Sequence, residues 1–191
     1  MSGEHGGAEV RIRPMEPDDA GRLVEFHEGL TERTKELRYF TPHPHLSDDE
    51  VRHFTNVDHR RREALVAVVG DRIVGVGRYD TLHDPLAAEL AFVVADGWQH
   101  HGIGRALLDA LSERARANGI HRFVADTLDR NAPMIGLLRS WGVDVREEHA
   151  LGRAEFVLTL VEADPDSLPH RRPSRERLSG RRTPDGTSSP G

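Results

Sequence analysis

The stretch Val93-Val94-Ala95-Asp96-Gly97-Trp98-Gln99-His100-His101-Gly102-Ile103-Gly104-Arg105-Ala106 decides how this chain is read. Apolar residues run into a turn holding Gly97, Gly102 and Gly104. The turn opens into a helical stripe of Leu107, Leu108, Leu111 and Ala115, closed by Asn118-Gly119. A strand therefore feeds directly into the N-terminus of an amphipathic helix, where main-chain N–H groups lack partners and the macrodipole is positive. Gly102 and Gly104 remove side chains where a ligand must approach the backbone. This arrangement suits a phosphate or pyrophosphate, and His100, His101 and Arg105 add local positive charge. Two other phosphate loops fail on residues: a Walker loop ends in Gly-Lys-Ser/Thr, and the only lysine, Lys35, is remote, while a dinucleotide fingerprint needs a third glycine where Leu107 stands.

Upstream of the loop, residues 64–69 and 73–79, joined at Gly70-Asp71, read as a hairpin, and the run 87–94 extends it into an antiparallel meander. Val10-Arg11-Ile12-Arg13 alternates like an edge strand and stops at Pro14. Pro17-Asp18-Asp19 opens a helix with Leu23, Phe26 and Leu30 on one face, its acidic first turn suiting the dipole. Thr41-Pro42-His43-Pro44-His45 is held extended by two prolines, and Ser47 with Glu50 forms a capping box for a short helix through Phe54. Downstream come a strand at 123–125, a helix at 131–141 and a final strand pair at 143–145 and 154–161. The expected fold is α/β (α+β): a mixed, mostly antiparallel sheet of six to seven strands flanked by about four helices, one domain over residues 9–163. Residues 1–8 and the Pro/Ser/Arg-rich 164–191 read as disordered, because such composition buries too little apolar surface to offset its ordering entropy.

Composition narrows the function classes. Of 191 residues, 37% are hydrophobic and 30% charged, enough apolar content for a core. No apolar run approaches the roughly 18 residues that span a bilayer, and Met1-Ser2-Gly3-Glu4-His5 does not begin a secretory signal. The absence of cysteine excludes disulfides, a thiolate nucleophile and a sulfur-based zinc site. A net charge of -6 argues against general nucleic-acid binding. A cytoplasmic protein, monomer or homodimer, with no nucleic-acid or membrane partner is expected.

Gln99-His100-His101-Gly102-Ile103-Gly104 resembles the acyl-CoA loop of the Gcn5-related N-acetyltransferases (the GNAT superfamily), and the similarity in element order runs from Val10 to Val161. The resemblance implies acetyl-CoA as cosubstrate; no metal is expected, because His43 and His45 have no matching third ligand. It also implies that the amides of Gly102, Ile103, Gly104, Arg105 and Ala106 cradle the CoA pyrophosphate. The end of the preceding strand, Val93, Val94 and Ala95, would bond the acetyl carbonyl and pantetheine amides, and Asn131 would contact the pantetheine arm. Leu37-Arg38-Tyr39-Phe40 with Leu46-Ser47, Val74 to Tyr79, Ala88 to Val94 and Asn131-Ala132-Pro133-Met134 resemble more closely the GNAT domain of bacterial Pat-type protein lysine acetyltransferases. That likeness implies protein lysines as acceptors, acyl-CoA synthetases among them. Tyr39, Phe40, His43 and Arg78 are then the candidate acceptor-site residues.

Glu89 interrupts an otherwise apolar strand, where a carboxylate is costly unless paired or functional. It occupies the general-base position of the protein-acetylating branch, four residues before Val93. A lysine amine near pKa 10.4 costs about 4 kcal/mol to deprotonate at neutral pH, and transfer to an ordinary glutamate is uphill by about 8 kcal/mol. Desolvation of a buried glutamate would remove about half of that. Pairing of Glu89 with an arginine such as Arg78 is the structural alternative. The tyrosine that many relatives use as general acid is matched here by Leu138, so direct attack in a ternary complex, with solvent reprotonating the thiolate, is expected. A small-molecule amine or antibiotic acetyltransferase and a catalytically weak acyl-CoA sensor are the rival functions.

Overall fold

The computed structural model describes residues 9–141 and 145–160. Seven strands form one sheet: β1 (Arg11–Pro14), β2 (Arg62–Val69), β3 (Arg72–Thr81), β4 (Ala87–Val94), β5 (Arg122–Leu128), β6 (Val145–Ala150) and β7 (Arg153–Thr159), in the order β1-β2-β3-β4-β5-β7-β6. Only β4 and β5 run parallel; the other neighbours are antiparallel. The described helices are α1 (Ala20–Glu28), α2 (Glu32–Tyr39), α3 (Asp48–Thr55), α4 (Ile103–Ala117) and α5 (Ala132–Ser140).

Helices cover both faces of the sheet, which is why β2 reads as an unbroken apolar run rather than an alternating one. Leu65 and Ala67 point to the cluster under α4 and α5, built around Leu107, Leu108, Leu111, Phe123 and Phe156. Ala64, Val66 and Val68 point the other way, to Leu23, Phe26 and Leu30 of the α1 side. Two glycines set the distance between α4 and the sheet. A Cβ on Gly75 would meet Ile103 Cγ2 at 3.1 Å, and one on Gly77 would meet Leu111 Cδ1 at 2.9 Å, so α4 lies directly on the β3 backbone.

The feature that makes room for a ligand lies between the parallel pair. β4 and β5 are in register only over Ala87–Glu89 against Arg122–Val124. Beyond that point β4 follows β3 and β5 follows β7, and the sheet splays open. The α4 N-terminus stands at the mouth of this wedge.

Several sequence expectations need adjustment. Helix α2 brings the helices to five, and it is closed by Phe40 in the left-handed region at φ 65°. Its sequence, ERTKELRY, is too charged to display an apolar stripe. The Ser47–Glu50 capping box is present as read. Strand β6 runs on past Val145 to Ala150 and reads VREEHA, a polar edge strand. The readings at Val143, Asp144 and Val161, and those for residues 1–8 and 164–191, lie outside the described residues. No helix among the described residues is long and apolar enough to cross a membrane.

Candidate active site

A cavity of about 250 Å³ occupies the wedge, walled by α2, the end of β4, the loop before α4, and the start of α5. Its floor is apolar, with Leu37, Phe92, Met134 and Leu137 among the lining residues. At its mouth α4 starts with Gly102 as N-cap, φ 79°, with no capping side chain and no acidic residue in the first turn. The positive end of a fifteen-residue helix is therefore left uncompensated. The amide of Ala106 already donates to the Gly102 carbonyl at 3.0 Å and so is not among the free donors of this end. Helix geometry leaves the N–H groups of Gly102, Ile103, Gly104 and Arg105 for a ligand.

The loop is braced for that task. Gln99 Nε2 donates to the Val94 carbonyl at 3.1 Å, tying the turn back to the strand. His100 adopts φ 64°, a conformation costly for a non-glycine residue, and its side chain lines the cavity. His101 is exposed and does not line it, and Ile103 is buried in the core, so only its main chain serves the cleft. Arg105 lines the mouth but is engaged by Asp109, Nε to Oδ1 at 3.0 Å. Asn131 caps α5 through its Oδ1, which accepts from Met134 N at 3.4 Å, and its carboxamide N–H donors remain for the cavity that it lines.

The main-chain donors of β4 differ from expectation. Ala95 N–H is used by Val74 O at 2.9 Å. By the two-residue alternation of an antiparallel ladder, Val93 also turns its peptide groups to β3, whereas Phe92 and Val94 turn theirs to the wedge. The free main-chain groups facing the wedge are thus those of Phe92 and Val94 rather than Val93 and Ala95, and the parity of the strand is the signal that shows it.

On the opposite face of β4 a second, smaller cavity of about 30 Å³ is lined by Phe26, Leu46, Phe54 and Val76, with Tyr39, Arg38 and Arg78. Arg38 and Val93 line both cavities. Burial raises the Tyr39 hydroxyl above its ordinary pKa. Its ring stacks on His43 at 4.0 Å and meets the buried His27 edge-on at 5.5 Å. Burial lowers the His27 pKa, and its Nε2 lies 2.9 Å from the His43 carbonyl. His43 thus packs behind Tyr39, 3.0 Å from Glu50, rather than lining the cavity, and Phe40 lies under Arg153, 4.6 Å from its ring. Asp96 joins the two sides: it accepts from Thr31 N at 3.0 Å, Thr31 Oγ1 at 2.8 Å and Thr34 Oγ1 at 2.7 Å, fastening α2 to the loop. Burial pushes its pKa up, but these bonds outweigh it and hold the carboxyl below its ordinary value.

The family profile described as "Acetyltransferase (GNAT) family" matches residues 28–143, from the last residue of α1 through the loop and past α5. The chain belongs to the GNAT acetyltransferase family. Acetyltransferase Pat of Mycolicibacterium smegmatis is 36% identical over 83% of this chain, which spans about half (47%) of that protein. The solved GNAT domain of S. lividans PAT is 33% identical with TM-score 0.74, covering 78% of this chain and 90% of that one. The Salmonella typhimurium protein yncA, solved with acetyl-CoA, shares the fold: 21% identity, TM-score 0.67, 85% of this chain and all (100%) of the other.

Within this GNAT frame, Glu89 lies on the same face of β4 as Val93, and its side chain is exposed and lines neither cavity. The burial invoked to strengthen it as a base is therefore absent, although Ala87, two residues earlier on the same face, is buried. The alternative pairing is absent too, because Arg78 bonds Asp80 at 2.5 Å and lies over Phe54 at 4.5 Å. Asp80 is in turn held by Arg62 Nε at 3.0 Å. Leu138 is wholly buried in the core, so the family's tyrosine acid has no counterpart there. Among the described residues no group of three or more histidine or carboxylate side chains is placed to hold a metal.

Proposed function

We propose that this protein transfers the acetyl group of acetyl-CoA to lysine side chains of proteins, acyl-CoA synthetases among them, by direct attack in a ternary complex. The observation that carries the cosubstrate reading is the uncompensated α4 N-terminus at the mouth of an apolar wedge. Four free amides and the helix dipole suit a pyrophosphate, and the wedge suits the pantetheine arm against Phe92 and Val94. The acetyl-CoA-bound Salmonella neighbour supports the cosubstrate, and the likeness to the two Pat proteins supports the protein acceptor.

In the proposed step the neutral lysine amine attacks the thioester carbonyl, the C–N bond forms and the C–S bond breaks. The amine proton passes to Glu89 through water, since the carboxylate is exposed on the acceptor face. The departing thiolate of CoA, a leaving group with a pKa near 8.5, takes its proton from solvent. A positioned general base contributes about 10²–10⁴-fold. Glu89→Gln is expected to lower turnover at least tenfold at neutral pH with acetyl-CoA affinity within a few-fold, and unchanged turnover would remove Glu89 from the mechanism.

The acceptor is tested by mass spectrometry of acetylated peptides after incubation with acetyl-CoA and a bacterial lysate. Time-dependent lysine acetylation on discrete proteins is the expected result. Thiol release with free polyamines or aminoglycosides alone would establish the small-molecule function instead. Binding of acetyl-CoA with no thiol release for any amine would establish a sensor.

A further inference from the structure

Arg38 has no counterpart in the chemistry above. It sits near the C-terminal end of α2, half-buried, and among the described residues its guanidinium donates no hydrogen bond and forms no ion pair; its neighbour is the Tyr39 ring, 5.1 Å from the guanidinium carbon. Burial lowers its pKa, opposed by the charges of Glu89 and Asp80, which attract it without bonding to it. A guanidinium with five N–H donors turned away from bulk water and left unbonded is expensive to keep.

Its position says what it awaits. Arg38 and Val93 are shared by the acyl-CoA wedge and the smaller cavity, so Arg38 stands where the thioester carbon and an incoming amine must meet. The smaller cavity, at about 30 Å³, has room for about two water molecules. That is the size of a carboxylate or an aminomethyl group. Besides apolar residues its walls hold His27, Tyr39 and the two arginines, and of the arginines Arg78 is already balanced by Asp80.

We propose that Arg38 binds a carboxylate that the acceptor carries next to the amine to be acetylated, and that the enzyme thereby selects amines with a neighbouring carboxylate. The inference rests on the acetyl-transfer reading. In a protein acceptor the carboxylate is an Asp or Glu beside the lysine; in a small molecule it is the carboxylate of an amino acid. Paired, planar donors make arginine the side chain fitted to that partner.

The test compares kcat/KM for two matched pairs: lysyl peptides differing only in Glu or Gln beside the lysine, and leucine against leucinamide. The second pair guards against simple reactivity, because the amide has the less basic and more readily deprotonated amine. The carboxylate-bearing member is expected to be favoured tenfold or more, chiefly through KM. The ratio is expected to fall within twofold of unity in Arg38→Met and to recover in part in Arg38→Lys. Equal use of both members by the unaltered enzyme overturns the proposal whether or not the variants fold, and so does an unchanged ratio in a folded Arg38→Met protein that binds acetyl-CoA. Arg38-dependent preference for leucine with no peptide acetylated leaves the carboxylate site standing and removes the protein-lysine reading. Acetylation of a neutral-flanked polyamine alone, or of no amine at all, overturns both.

Discussion

Asp96 ties α2 to the cofactor loop, and its contribution can be measured as stability. It sits in the turn after β4 yet its carboxylate holds the N-terminal end of α2, whose N-cap Thr31 lies sixty-five residues away in sequence, by accepting from Thr31 N, Thr31 Oγ1 and Thr34 Oγ1. A hydrogen bond to a charged group contributes about 1.5–3 kcal/mol when shielded, but Asp96 and Thr31 are exposed and only Thr34 is buried. Taking an N-cap contribution of about 1 kcal/mol and about as much again for the buried Thr34 bond, Asp96→Ala is expected to cost about 2 kcal/mol. For a domain of this size that is about 4–8 °C in Tm. Denaturant unfolding, followed by the fluorescence of Trp98 two residues on, measures it. A cycle with Thr34→Val should return a coupling of about 1 kcal/mol. Asp96→Asn, which keeps one acceptor oxygen, should lose about half as much as alanine. Because α2 carries Arg38 and Tyr39, the alanine variant should also raise the acceptor KM. A loss below about 0.5 kcal/mol, within the range of an ordinary surface change, with no coupling to Thr34 would refute the claim that this carboxylate fastens the acceptor side to the cofactor loop.

Asp19 is buried and held by Arg13 at 2.6 Å, and that bond above all lowers its pKa from 3.8 to about 2. A depressed carboxylate stabilises the fold above its unfolded pKa and the contribution disappears as pH falls from about 4 toward 2. The shift corresponds to about 2 kcal/mol, so stability should decline over that window in the natural chain and the decline should be shallower in Asp19→Asn; equal slopes in acid titrations of stability would contradict this. Gly104→Trp should abolish acetyl-CoA binding, since even a Cβ there would lie 3.0 Å from Leu137 Cδ2 at the cavity mouth; ordinary affinity by calorimetry would refute the loop assignment.

The strand, turn and helix around Gly102 were legible because each leaves a local mark: a run of valines, paired glycines and a leucine stripe. The hairpin at Gly70 and the Ser47–Glu50 box were legible for the same reason. What the chain did not display is everything set by long-range pairing. The parting of β4 from β5 after Glu89 has no local signature, and it alone creates the wedge. The direction of each β4 peptide depends on which residues of β3 it faces, so the sequence alone does not show that Phe92 and Val94, not Val93 and Ala95, turn their peptide groups to the wedge. Glu89 has apolar neighbours in sequence, but burial depends on how far the helices reach over that face. Helix α2 and strand β6 are polar elements whose places are fixed by Asp96 and by pairing with β7, not by periodicity.

Titration of isotope-labelled protein with CoA, followed through its backbone amide resonances, tests the central claim most directly. The largest shifts are expected at the amides of Gly102, Gly104 and Arg105, with a second group at Phe92 and Val94 and little change at Ala106 and Ala95. Saturable binding that leaves the Gly102–Arg105 amides unmoved would contradict it.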